Sequence, residues 1–197
     1  MDATTSEIPL FPLNTVLFPG GPLPLRIFET RYVDMVRHCM RSGSAFGVVL
    51  IRAGGEVGNV ARTADIGTTA RIVDFSQLPD GLLGISCLGE KRFRVLRRWR
   101  QEDGLNVGEV EWLPAAPTEP LPADLQFLAD LLKRVLPELG EMYAQVPRHF
   151  DDAGWVGARL AEILPLSLGD KQALLELDDA TARLARIAPL IRRSDDA

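Results

Sequence analysis

The sequence predicts an α+β protein: a mostly-β half with one helix over residues 1–116, then a helical bundle over residues 117–197. Three observations carry that prediction. Thirteen of the 17 glycines precede Trp112, where turns are needed, and four follow it. The apolar pattern changes from short runs and alternation in the first half to a period of about 3.6 residues in the second. Between them Leu113 to Asp124 holds Pro114, Pro117, Pro120 and Pro122, which neither a helix nor a central strand tolerates, and which makes a stiff, extended connector.

Ile8-Pro-Leu-Phe-Pro-Leu13 opens the first half as a short apolar strand whose prolines suit a sheet edge or a strand start. Val16-Leu-Phe18 follows and ends at Pro19-Gly20, a type II turn pattern in which the glycine takes positive φ. Tyr32, Met35, Val36, Cys39 and Met40 recur at i, i+3, i+4, i+7 and i+8, which predicts an amphipathic helix. Arg31, Asp34, Arg37, His38 and Arg41 fall largely outside that stripe, and Gly43 is its stop. Ala45 to Ile51 is a continuous apolar run of strand length, expected to be covered on both faces. Two further strands, Arg71–Phe75 and Leu82–Cys87, flank the hairpin turn Pro79-Asp80-Gly81. From Lys91 to Arg100 the chain alternates, with Phe93, Val95 and Trp99 on one face and Arg92, Arg94, Arg98 and Arg100 on the other. In the last strand the apolar phase shifts between Val107 and Val110, which predicts a bulge at Gly108.

In the second half, Leu125, Leu128, Leu132, Val135 and Leu136 form one helical stripe. A second helix starts near Asp151 or Asp152 with Val156, Leu160, Ile163 and Leu164 inward. Ser167-Leu-Gly-Asp170 reads as a capping box with aspartate in the glutamate position, opening a short helix to Leu177. Asp178 or Asp179 caps the last helix, whose stripe is Leu184, Ile187, Ala188 and Ile191 and which Pro189 is expected to kink or end.

Composition narrows the function. Hydrophobic residues at 46% and charged residues at 25% suit a folded protein. No apolar run approaches the ~20 residues that cross a bilayer, and the polar, acidic start is no secretory leader, so a cytoplasmic protein without membrane contact is expected. Residues 1–116 carry 13 Lys/Arg and 13 Asp/Glu; residues 117–197 carry 9 and 14, so the net charge of −5 lies wholly in the second half. Neither half has the basic excess that phosphate backbones select, which makes nucleic acid the weaker reading.

Catalytic motifs are missing. There is no Gly-Lys of a phosphate loop, no glycine pair separated by one residue, no Cys-x-x-Cys and no zinc-protease helix. Ser86 in Gly84-Ile-Ser-Cys-Leu88 lacks the second glycine of a nucleophile elbow and reads as an ordinary strand residue. His38 sits on the wet face of its helix and His149 near a boundary, while Cys39 and Cys87 fall in apolar stretches as small core residues. No catalytic, metal or cofactor residue is therefore expected. Six cations among Lys91–Arg100 with interleaved aromatics suit single-stranded nucleic acid, but Glu90, Glu102, Asp103, Glu109 and Glu111 stand on adjacent segments. A half-buried strand with an ion-paired arginine face is the preferred reading.

Ile8-Pro-Leu-Phe-Pro-Leu-Asn-Thr-Val-Leu-Phe-Pro19-Gly20, then Leu23-Pro-Leu25-Arg26-Ile27-Phe28-Glu29-Thr-Arg31-Tyr32, resembles the opening signature of the Lon protease N-terminal domain. Ile66-Gly67-Thr68 through Ile72 is similar to that family's glycine–threonine strand. Leu78-Pro-Asp80-Gly81 to Gly89, with Arg92-Phe93-Arg-Val95, is similar to its hairpin and following basic-aromatic strand, and Lys171 to Glu176 with Arg183-Leu184 to its helical end. The resemblance spans nearly the whole chain in order.

It implies a PUA-like β pseudobarrel followed by a helical bundle, and a stand-alone substrate-binding domain without the ATPase and protease modules. The implied partners are unfolded or extended polypeptide segments, held in a groove between barrel and bundle or by strand addition at an open barrel edge, with a protease or chaperone in trans as a further partner. The PUA-like character also implies an RNA-binding alternative through residues 91–100. Pro19-Gly20 is expected to set a turn, Ile27 and Phe28 to anchor the strand end in the core, and Glu29 to pair with Arg26 or Arg31 at the helix start. Glu29, Arg31, Tyr32 and Trp99 are the candidate peptide-binding residues; Leu25, Gly67, Asp80, Gly81, Arg92 and Phe93 complete the structural motif.

Overall fold

The computed structural model describes residues 5–54, 60–144 and 146–195. The chain divides into two compact units, Met1–Pro114 and Ala115–Ala197. The first contains β1 (Thr5–Leu13), β2 (Pro22–Ile27), α1 (Thr30–Ser42), β3 (Phe46–Gly54), β4 (Val60–Thr63), β5 (Ile66–Gln77), β6 (Leu83–Arg100) and β7 (Asn106–Trp112). Strands pair in the order β1-β7-β6-β5-β3, and β3 pairs back to β1, so five strands close a ring, with β2 on β6 and β4 on β3. This ring is the pseudobarrel that the resemblance implied.

Two strands make closure possible by changing partner along their length. In β1, Thr5–Leu10 runs antiparallel to β7, whereas Leu10–Leu13 runs parallel to β3. Pro9 stands opposite Val107 and Pro12 opposite Val49, each with a strand partner on one side only, which suits residues that lack a backbone N–H. In β6, Leu83–Leu88 pairs with β2 and Phe93–Arg100 with β7, while β5 follows the other side. Gly89 sits at that change of partner. Its N–H donates to the Gly21 carbonyl and its own carbonyl accepts from Gly20 N, both at 2.8 Å. A Cβ on Gly89 would lie 2.2 Å from the Phe18 carbonyl oxygen, so only glycine lets the Pro19-Gly20 turn dock here. That turn has the expected form, with Gly20 at φ 72° and Gly21 N donating to Phe18 O.

The ring encloses two apolar clusters. One gathers Phe11, Leu13, Ile27, Met35, Val36, Cys39, Phe46, Ile85 and Cys87; the other gathers Ile8, Leu10, Val49, Phe93, Val95 and Val110. Phe46–Ile51 is buried throughout, as its unbroken apolar run predicted, because both faces of β3 are covered. Cys87 is sealed in, and burial pushes its thiol pKa up to about 12.

Other expectations fail for identifiable reasons. Phe28 is 58% exposed, while its neighbour Ile27 is 2% exposed, so only Ile27 anchors the strand end. Arg92 and Arg31 are buried rather than solvated. The bulge of the last hairpin lies in β6 between Val95 and Arg97, not at Gly108, whose missing side chain instead makes room for Leu10. Past that bulge the alternation breaks, and Leu96 and Trp99 are exposed.

The second unit contains α2 (Gln126–Val135), α3 (Glu141–Ala144), α4 (Ala153–Ile163), α5 (Leu168–Leu175) and α6 (Ala180–Asp195). Leu128, Leu132, Val156, Leu160, Leu184 and Ile187 are almost fully buried, so the 3.6-residue stripes face one another as read. The Asp152 side chain accepts from Gly154 N at 2.8 Å and Ser167 Oγ from Asp170 N at 3.1 Å, capping α4 and α5. Asp170 accepts the Ser167 hydroxyl rather than its backbone N–H, so the box is not reciprocal. Asp179 accepts from Ala182 N at 2.9 Å at the start of α6. Pro189 does not end α6, which continues to Asp195.

Candidate functional site

The junction of β2 and α1 is built around Arg31. Glu29 is the N-cap of α1 in extended backbone, and its carbonyl accepts from Tyr32 N and Val33 N. Its carboxylate lies 2.8 Å from Arg31 Nη2. Arg31 Nη1 donates to the Gly104 carbonyl at 2.8 Å, and Arg100 Nε donates to the same oxygen at 3.1 Å. Gly104, at φ 85°, belongs to the β6–β7 turn, so Arg31 ties that turn to the helix while Arg100 ties it to the end of β6. The Arg31 guanidinium also lies 4.7 Å from the Tyr32 ring centroid, and that ring stacks on Phe11 at 3.9 Å. Burial raises the Tyr32 phenol above its usual pKa, against the opposing pull of Arg31. Arg26 pairs with Asp80 of the β5–β6 turn instead of with Glu29.

Beside this junction lies a cleft of about 360 Å³. Its floor is apolar, made by Ile8 and Pro9 of β1, Met35 of α1, and Leu105 and Val107 at the start of β7. Its rim carries Glu7, Asp34 and Asp103, with Arg31 and His38. Among the four candidate residues, Arg31 alone lines the cleft. Tyr32 is 2% exposed and serves the core, and Trp99 stands opposite Val107 on β6, 38% exposed. Reading of the sequence missed Glu7, Met35, Asp103 and Leu105, because they meet only after β1, α1 and the β6–β7 turn converge. A smaller cleft of about 260 Å³ lies between Cys39–Ser44 and Ile72–Phe75, where Met40, Val73 and Phe75 are exposed.

The basic strand is largely paired. Arg94 faces Glu111 at 4.0 Å and Arg97 faces Glu109 at 3.7 Å across the β6–β7 ladder. Arg98 binds Asp65 and the Thr63 hydroxyl. Ser86 lies in mid-strand between Pro24 and Asp74, beside a register shift of β5 between Ile72 and Asp74. Among the described residues no group of three or more His, Cys, Asp or Glu is arranged to hold a metal ion, and no helix is long and apolar enough to cross a membrane.

The helical unit has its own polar centre. Arg159, fully buried, pairs with Glu162 at 2.6 Å; Tyr143 donates its hydroxyl to Glu162 at 3.2 Å. Lys171 donates to the Glu162 carbonyl at 2.6 Å. Burial pushes the Glu162 carboxyl up to about 7, against the pull of Arg159 and the Tyr143 hydrogen bond.

Comparison with known proteins places the chain in a family. The family model described as the ATP-dependent protease La (LON) substrate-binding domain matches residues 7–193. Lon protease 2 of Myxococcus xanthus is 28% identical over 193 residues, which cover 94% of this chain and 23% of that protein. The chain thus spans about a quarter of the length of the curated Lon relatives it matches. Among solved structures, a Lon N-terminal domain protein from Xanthomonas campestris is 42% identical with a TM-score of 0.78, over 93% of this chain and 98% of that one. The N-terminal domain of a Mycobacterium avium complex Lon protease is 20% identical with a TM-score of 0.62, over 92% of this chain and 96% of that one, a likeness of fold alone. The chain belongs to the ATP-dependent protease La (LON) substrate-binding domain family.

Proposed function

We propose that residues 7–193 form a non-catalytic polypeptide-recognition module, which holds extended or unfolded segments and itself carries out neither ATP hydrolysis nor peptide cleavage. The observation that carries this reading is the match of a substrate-binding domain model to residues 7–193, nearly the whole chain. The cleft beside Arg31 supports it. An apolar floor with a polar rim accepts side chains from a segment whose backbone is not yet folded, and its walls are fixed by the Arg31–Gly104 and Arg31–Glu29 contacts. The ion pairing of Arg94, Arg97 and Arg98 weighs against the RNA-binding alternative, since phosphate would have to displace carboxylates already in place.

Backbone NMR titration with a permanently unfolded polypeptide tests the reading. Shifts are expected at Met35, Leu105 and Val107, without turnover of the added chain. Absence of any shift at high polypeptide concentration, or cleavage of the added chain by the purified protein, overturns it.

A further inference from the structure

We propose that the cleft between α1, β1 and the start of β7 selects extended segments in which a lysine or arginine is flanked by apolar residues. This deepens the polypeptide-recognition reading and rests on it.

The argument starts from the charges on the lining. Three of the five titratable groups there are the carboxylates Glu7, Asp34 and Asp103. The guanidinium of Arg31 is already met by Glu29 at 2.8 Å, and His38 is the remaining basic group. Asp34 is partnered by Arg37 at 2.5 Å, and Asp103 accepts from Leu105 N at 2.9 Å, which leaves each carboxylate with further acceptor capacity. Glu7 is different. It stands directly opposite Glu109 across the β1–β7 ladder, a like-charge pair that is unfavourable in a sheet. Glu109 leans towards Arg97 at 3.7 Å, and no cation among the described residues pairs with Glu7. A cationic side chain entering the cleft relieves that repulsion, and an anionic one adds to it.

The rest of the cleft suits the stem and neighbours of such a side chain. Ile8, Met35, Leu105 and Val107 supply an apolar floor, along which the methylenes of lysine or arginine lie while the charged head stays at the rim. A volume of about 360 Å³ is at the small end of ligand pockets, roughly 300–1,000 Å³, and takes a short stretch of side chains rather than a folded domain. The wall also holds an unmet donor: Arg31 Nε is buried without a hydrogen-bond acceptor among the described residues. An extended segment carries carbonyl oxygens that can supply one.

Three unstructured peptides of equal length and equal apolar content, differing only in whether the central residue is lysine, glutamine or glutamate, distinguish the possibilities. They are titrated into the isotope-labelled full chain alongside a permanently unfolded polypeptide. The lysine peptide is expected to bind about three- to tenfold more tightly than the glutamine peptide, and the glutamate peptide most weakly, with shifts at Met35, Leu105 and Val107. The difference shrinks as salt is added. In Glu7→Lys combined with Asp34→Lys the order reverses. Glu7→Lys removes a like-charge pair and Asp34 is half exposed, so the double variant is expected to fold; Glu7→Lys alone, which abolishes most of the preference, serves if it does not. Equal affinities for all three peptides, or lysine-peptide shifts confined to other surfaces, overturn the proposal while the recognition reading stands. Silence from every peptide and from the unfolded polypeptide overturns both.

Discussion

In the β unit Arg94, Arg97 and Arg98 lie at the surface and meet Glu111, Glu109 and Asp65, whereas in the helical unit Arg159 and Arg183 are buried. The contrast follows from what each architecture leaves unsatisfied. A closed sheet pairs its backbone groups strand to strand and turns alternate side chains outward, so these three strand cations need only surface partners, while the buried Arg31 of α1 reaches a carbonyl of the β6–β7 turn, that of Gly104. Short helices end in orphan carbonyls. Arg183 donates to the carbonyls of Leu174 and Leu177 at the end of α5, and Lys171 to that of Glu162 near the end of α4. Arg183 and Lys171 thus serve helix ends, whereas Arg159, inside α4, meets the Glu162 carboxylate.

The largest test of that difference is removal of one cation from each unit. Arg159→Met leaves the Glu162 carboxylate buried without its charged partner and is expected to cost about 3–5 kcal/mol in urea unfolding at neutral pH. Arg94→Met removes a half-exposed pair at 4.0 Å and is expected to cost at most about 1 kcal/mol. Comparable losses for the two would mean that burial does not separate their roles.

Glycines break along the same line. Gly89→Ala places a Cβ 2.2 Å from a backbone carbonyl in the β unit, which no rotamer relieves, and is expected to cost about 3 kcal/mol. In α4, Gly157→Ala meets Arg183 Cδ at 3.3 Å, in a side chain pinned by two carbonyls, and gains about 1 kcal/mol of helix propensity. The balance is expected within about 1 kcal/mol of the parent, read from the same unfolding curves.

The two units also differed in how legible they were. Helical stripes such as Leu128, Leu132, Val156 and Leu160 report burial directly, because a 3.6-residue period has one inward face, and caps at Asp152, Ser167 and Asp179 declare themselves by residue type. Local turns of the β unit, Pro19-Gly20 and Pro79-Asp-Gly81, were equally plain. What escaped was every feature set by strands far apart in the chain. The partner change in β1, the bulge after Val95 that leaves Trp99 exposed, and the burial of Arg31 under the β6–β7 turn depend on which strands pair, and alternation alone does not say. The cleft belongs to that class, since its lining comes from β1, α1 and the β6–β7 turn together. Arg159 escaped for a different reason: an arginine one turn from Glu162 on a helix reads as a solvated pair until the neighbouring helices are seen to cover it.

The buried acid gives the helical unit a pH signature of its own. The folded chain keeps the Glu162 proton up to about pH 7, whereas the unfolded chain releases it near its ordinary value of 4.5. The folded state therefore binds more protons across that window, so the stability due to Glu162 falls as pH rises through it and is level above. Integrated, the fall is about 3 kcal/mol. Glu162→Gln is expected to remove that slope from the stability–pH curve, and Glu111→Gln, in the β unit, to leave it intact. A slope unchanged in Glu162→Gln would show that Arg159 holds the carboxylate ionised throughout.

The smallest expected effect is at Phe28. Its place in the signature Leu25-Arg-Ile-Phe28 suggested a core anchor, yet it is 58% exposed, while Ile27 beside it is buried on the β6 side of the strand. Little apolar area is removed from water there, so Phe28→Ala is expected to change unfolding free energy by less than about 0.5 kcal/mol. Ile27 shows what an anchor at this strand end looks like, and Phe28 does not share it. A loss at Phe28 above about 2 kcal/mol, the range of a buried large-to-small change, would mean the side chain is covered in solution.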